Sequence, residues 1–165
     1  MIGATLAGVF ASGAFSSSSD TEVIIGSTSP VTVPIAPDTA AQLVSVQGDV
    51  TIDVEVGSVG NVSELVYRPL TFDEIPALPS GFVPVGNQFD LSLSSNGESE
   101  PRLLKPLTIS FNLKTADVAL ARAVETNVVV QHFTDDRWTL LPTSVNWSSA
   151  VAQAQTDSLS IFAMT

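Results

Sequence analysis

In the run Asp49-Val50-Thr51-Ile52-Asp53-Val54-Glu55-Val56, apolar residues fill every second position and polar residues the alternates. A period of two puts one set of side chains on a core and the other in water, so this segment predicts a half-buried β-strand. The same alternation recurs in Phe89-Asp90-Leu91-Ser92-Leu93 and in Leu107-Thr108-Ile109-Ser110-Phe111-Asn112-Leu113. After the first of these, Asn96-Gly97 supplies the residues that a tight turn needs where φ is positive. Val128-Val129-Val130-Gln131-His132-Phe133 is apolar without alternation, as expected for a strand covered on both faces. Thr134-Asp135-Asp136-Arg137 would turn it into Trp138-Thr139-Leu140-Leu141 as a hairpin.

Further strands are expected at 22–25, 31–35, 42–46, 65–68, 151–155 and 159–164, whereas only Thr115 to Val124 has helical composition. Prolines fall mainly between these runs, and Pro76, Pro79 and Pro84 crowd the connection before Phe89. About ten short strands separated by turn signals predict an all-β fold, a two-sheet antiparallel sandwich with at most one short helix.

Residues 1–19 stand apart. They carry no charged side chain, and Ile2, Leu6, Val9, Phe10 and Phe15 give them an apolar character. Three readings compete for this tail. A targeting segment would have a basic residue before its apolar stretch, and none is present. A membrane span needs about 20 apolar residues, more than this stretch offers. The third reading is an assembly segment that packs into a neighbouring subunit, either as a helix with Gly3, Ala7 and Ala11 at four-residue spacing or as a donated strand. The expected organisation is thus a tail over 1–19, read as an assembly or residual targeting segment, and a single sandwich domain over 20–165.

Length and charge narrow the function classes. A chain of 165 residues is long enough to bury a real core without disulfides, and it contains no cysteine, which removes thiolate metal sites and a cysteine nucleophile. Six Lys and Arg against 17 Asp and Glu leave a formal charge of −11, which repels nucleic acid and anionic lipid surfaces. One histidine and no cysteine make zinc or copper a poor expectation. No phosphate-cradling glycine loop or dinucleotide fingerprint is present. No cofactor is therefore expected. Calcium is the one metal kept in view, since it takes oxygen ligands from loops: Asp135 with Asp136, or Asn96 with Glu98 and Glu100.

Asp73-Glu74 and Asp135-Asp136 are the carboxylate neighbours that glycoside chemistry would need facing one another across a cleft. Adjacent residues point apart on a strand and are usually solvated on a turn, so neither is assigned a catalytic role. Tyr67, Trp138 and Trp147 are the rings that could stack on a sugar; Trp138 is expected in the core, and Trp147 is the candidate glycan contact. Asn61-Val62-Ser63 and Asn146-Trp147-Ser148 are glycosylation-type triplets, relevant only in an organism that modifies them.

Four short motifs carry a family resemblance. Val31-Thr32-Val33-Pro34-Ile35 looks like an entry strand, Lys105-Pro106-Leu107-Thr108-Ile109-Ser110 like the strand after an acidic loop, and Trp138-Thr139-Leu140-Leu141-Pro142 like the turn after a hairpin. Leu159-Ser160-Ile161-Phe162-Ala163 resembles a closing strand. In this order they are similar to β-sandwich domains of bacterial surface proteins, of the ankyrin and netrin-receptor family, and of the GAIN domain of adhesion receptors. The resemblance implies a peptide bond, in autoproteolytic members, that is cut before the Ser or Thr of the closing motif. Ser160 would be the nucleophile and Leu159 would carry the attacked carbonyl, but Ser158 stands where the base histidine belongs. A serine cannot take that proton at neutral pH. His132, the one histidine, lies on another expected strand and is read as a strand-end side chain with a partly solvated ring. His132-Phe133-Thr134 also resembles a cleavage site of some relatives, but it precedes a turn.

The expectation is a non-enzymatic structural module of an extracellular or cell-envelope assembly, with copies of itself or other surface proteins as partners and no membrane span in the folded domain. A carbohydrate-binding adhesive module and a degenerate self-cleaving domain are the alternatives.

Overall fold

Val50, Ile52 and Val54 are buried and Thr51 and Asp53 are not, as their alternation requires. The computed structural model describes residues 29–95, 98–99, 103–123 and 127–165. Twelve strands and one helix are found among them. The first six strands are β1 (Val31–Ile35), β2 (Ala41–Val44), β3 (Val50–Val54), β4 (Ser63–Leu70), β5 (Gln88–Ser95) and β6 (Glu98–Ser99). After β7 (Leu107–Asn112) comes α1 (Thr115–Ala123), then β8 (Val130–Thr134), β9 (Arg137–Leu141), β10 (Thr143–Asn146), β11 (Val151–Thr156) and β12 (Ile161–Met164).

The strands form two antiparallel sheets. One runs β1-β4-β5-β12-β8-β9, with β6 added to β5, and the other runs β10-β11-β7-β3-β2. Phe89 of the first sheet meets Phe111 of the second at a centroid separation of 5.8 Å, and around them Leu43, Ile52, Leu65, Leu91, Leu107 and Ile109 are almost completely buried. Burying each such side chain contributes about 1.5–3 kcal/mol. The sequence reading of an all-β sandwich with one short helix holds.

Several details differ. β10 was not expected: it is a half-exposed edge strand whose single large apolar residue is Val145. The two-residue β6 was also missed. The strand expected from Val128 begins at Val130, although Val129 still exchanges both backbone hydrogen bonds with Thr165, in line with the β8–β12 ladder. The expected strand at 22–25, the tail over 1–19 with Ile2, Leu6, Val9, Phe10 and Phe15, and the Asn96-Gly97 turn lie outside the described residues.

At the β8–β9 hairpin, Asp135 and Asp136 have φ of 51° and 58°, the left-handed pair that a two-residue turn between twisted strands demands. The connection between β4 and β5 reaches from Trp138 on the outer face of the first sheet to the end of β12. Trp138 Nε1 donates to the Ala77 carbonyl at 3.1 Å, and Val85 N–H donates to that of Met164 at 2.8 Å. Gly86, at φ 66°, lies so close to the Met164 side chain that a methyl group there would collide with it. The sheets are tied at one end by Asn87, which donates through Nδ2 to Asp49; the Asp49 carboxylate also accepts from Ser45 Oγ at 2.7 Å.

Candidate functional site around the closing strand

β12 enters the middle of the first sheet, between β5 and β8. Its register places Phe162 opposite Phe89 on one side and opposite His132 on the other. On one face of the sheet these residues and Tyr67 form a row of four rings across four adjacent strands. Tyr67 lies 4.9 Å from Phe89, Phe89 5.5 Å from Phe162, and Phe162 4.4 Å from His132. The last two rings are nearly parallel, at 9°. All four are at most 3% exposed.

His132 is therefore a core residue, which corrects the expectation of a partly solvated strand-end ring. It is buried because β8 continues to Thr134 and β12 lays an aromatic ring directly beside it. Burial pushes its pKa below the usual histidine value, against the opposing pull of the Asp157 carboxylate. Its Nε2 is buried and has no hydrogen-bond partner.

The closing motif reaches the neighbourhood of that ring without engaging it. Register puts Ser160 diagonal to His132, but the Nε2 that would accept a proton makes no hydrogen bond, to Ser160 Oγ or to anything else. The Ser160 carbonyl accepts from Leu91 N–H at 2.8 Å, tying the residue to β5. Ser158 is held in a local turn, where its carbonyl accepts from Thr156 Oγ1 at 2.7 Å and its N–H donates back to that hydroxyl at 3.3 Å. Leu159 packs on the core. The nucleophile and carbonyl positions that the resemblance implies, Ser160 and Leu159, are neighbours by sequence alone, and His132 Nε2 makes no hydrogen bond to Ser160.

The carboxylate neighbours separate likewise. Glu74 accepts from Thr71 N–H at 2.8 Å and Thr71 Oγ1 at 2.7 Å, and those two bonds, with Arg68 nearby at 3.6 Å, hold its carboxyl below the usual range. Asp73 and both turn aspartates are exposed. Among the described residues no three His, Asp or Glu side chains gather as metal ligands; Asn96 and Glu100 lie outside them.

The rings proposed as a sugar platform are dispersed. Tyr67 is in the core, where burial and then the Asp49 charge raise its pKa. Trp138 is half-buried and packs edge-on against Phe133, on the face opposite His132 and not in the inter-sheet core expected for it. Trp147, the candidate glycan contact, is half-buried against the core. The Asn146 side chain of its triplet accepts from Ser148 N–H, Ser148 Oγ and Ser149 N–H, which sets the β10–β11 turn.

Sequence reasoning missed an apolar cleft of about 390 Å³ between the β4–β5 connection and α1. Phe82, Val83, Val85, Leu120 and Val128 line it. The signal was present in Phe82-Val83-Pro84-Val85, an apolar run inside a segment marked as a loop by its prolines. Among the described residues no helix is long and apolar enough to cross a membrane.

Neither a protein-family model nor a curated protein sequence matches the chain.

Proposed function

We propose that this protein is a non-enzymatic structural module of an extracellular or cell-surface assembly, in which the apolar segment 1–19 packs into a neighbouring copy. One observation carries the reading: the residues with most claim to chemistry, His132 and the closing strand, are spent on the row Tyr67–Phe89–Phe162–His132 that fills the core. General base catalysis requires a side chain within hydrogen-bond reach of the proton it removes, and the ring of His132 is stacked on Phe162 instead. The resemblance of the closing motif to that of GAIN-type sandwiches is then a likeness of strand and not of activity. The uncharged stretch 1–19 beside a strongly acidic domain supports the assembly side of the reading.

Size-exclusion chromatography and electron microscopy of the full chain and of a form lacking 1–19 test it. The full chain is expected to assemble and the shortened form to stay folded and monomeric. A full chain that is monomeric at high concentration would overturn the proposal. Mass spectrometry of the purified chain is expected to find one uncut species, and cleavage between Leu159 and Ser160 would instead establish the self-cleaving alternative.

A further inference from the structure

We infer that the cleft between α1 and the β4–β5 connection is the receptor for the apolar segment of a second copy, seated as a helix. The inference rests on the assembly reading and names the site at which assembly occurs. Val83 and Leu120 stand on the cleft walls with 62% and 45% of their surface exposed, while Val128 and Ala121 form its buried base. Its volume of about 390 Å³ falls in the ~300–1,000 Å³ range of clefts that hold a ligand's apolar groups. Among the described residues, Asp117 is the one charged side chain lining it.

The occupant follows from charge, position and backbone chemistry. An acidic partner would face Asp117 and a domain whose chain carries a charge of −11, whereas residues 1–19 bring apolar groups and no charge. The chain enters β1 from the same end of the sandwich as the cleft: Val31 pairs with Tyr67, near the end of β4, and the cleft-lining connection follows β4 directly. An occupant added as a strand would need free backbone donors and acceptors, but Val129 and Thr165 already exchange both bonds, and Val85 N–H is taken by the Met164 carbonyl. The cleft is thus read by side chains, the mode in which an amphipathic helix lays apolar residues into a groove. Ile2, Leu6 and Val9 recur at the spacing of one helical face, with Phe10 beside them.

The absence of cysteine from the chain makes the test direct. Full-length copies carrying Leu6→Cys are mixed, under mild oxidation, with tagged copies carrying Val83→Cys. A disulfide between the two kinds of copy is expected, reduced about tenfold or more when the acceptor also carries Leu120→Glu. Leu120 is half-exposed, and an unchanged unfolding midpoint for that variant shows that the fold is not what was lost. Val62→Cys, 67% exposed at the opposite end, is the control acceptor. Equal linkage to Val62→Cys overturns the inference, as does no linkage to Val83→Cys. Linkage within single chains of a Leu6→Cys, Val83→Cys double variant, without linkage between copies, also overturns it by making the occupant the chain's own segment. If linkage fails while removal of 1–19 still abolishes assembly, the cleft is wrong and the assembly reading stands. If linkage fails and the full chain is monomeric, both fall.

Discussion

The imidazole of His132 lies flat against the ring of Phe162, 4.4 Å between centroids and 9° between planes, with its Nε2 buried and unbonded. Stacking of this kind is compatible with a neutral ring, whereas a protonated one would carry a charge into apolar surroundings.

Acid should therefore weaken the fold through this residue. Burial lowers the folded-state pKa of His132 below the ordinary value of 6.5, so between the two values the unfolded chain binds more protons than the folded one. The contribution is complete above pH 6.5 and is lost as pH falls below it. Melting temperatures from pH 8 to pH 5 should fall more steeply for the natural chain than for His132→Phe, which has nothing to protonate there. Parallel curves would show that His132 does not couple to pH.

Phe162→Ala removes the ring that touches both Phe89 and His132, and should cost about 3–5 kcal/mol by leaving a cavity at the centre of the first sheet. Urea denaturation checks the figure. Trp147→Ala, at a half-buried turn position, should cost less than Phe162→Ala in the same measurement.

Ser58 is fully buried and its hydroxyl finds no partner. An unmet buried polar group costs about 1–3 kcal/mol, so Ser58→Ala should raise stability by about 1 kcal/mol. A loss of stability on this change would reveal a partner for the hydroxyl.

Asp136 holds φ at 58° in the β8–β9 turn, a conformation that glycine adopts without steric cost. Asp136→Gly should gain somewhat less than the roughly 1–2 kcal/mol that a left-handed L-residue costs, since aspartate tolerates the region better than most. Chemical denaturation of the single variant measures it.

Where a strand's identity is written in neighbouring residues, the sequence could be read. β3, β5 and β7 alternate, β8 follows directly on the apolar run Val128-Val129-Val130, and the Asp135-Asp136 turn separates β8 from the next strand. β10 escaped because an edge strand buries only half of one face, and Thr143-Ser144-Val145-Asn146 needs no alternation to do that. The placement of His132 escaped for a different reason. Its burial depends on which strand lies beside β8, and that strand is contributed by residues 30 positions further along. Local patterns say that Phe162 and His132 are each on a strand; they carry no information about register between them. The resemblance of the closing motif rests on its residues alone, whereas the position of Ser160 diagonal to a His132 ring that stacks on Phe162 is set by strand register. The cleft by α1 was hidden because prolines mark a segment as irregular without saying what it covers.

The position of β12 bears on how the protein is made. Ribosomes deliver the twelve strands in order, yet β12, the last of them, belongs between β5 and β8. Until it emerges, the first sheet is two fragments, β1-β4-β5 with β6, and β8-β9, each with an edge of unpaired amides and carbonyls where β12 will sit. The sheet cannot be zipped up while its template is still being translated, so the nascent chain must wait, exposed along two strands, for its final insertion.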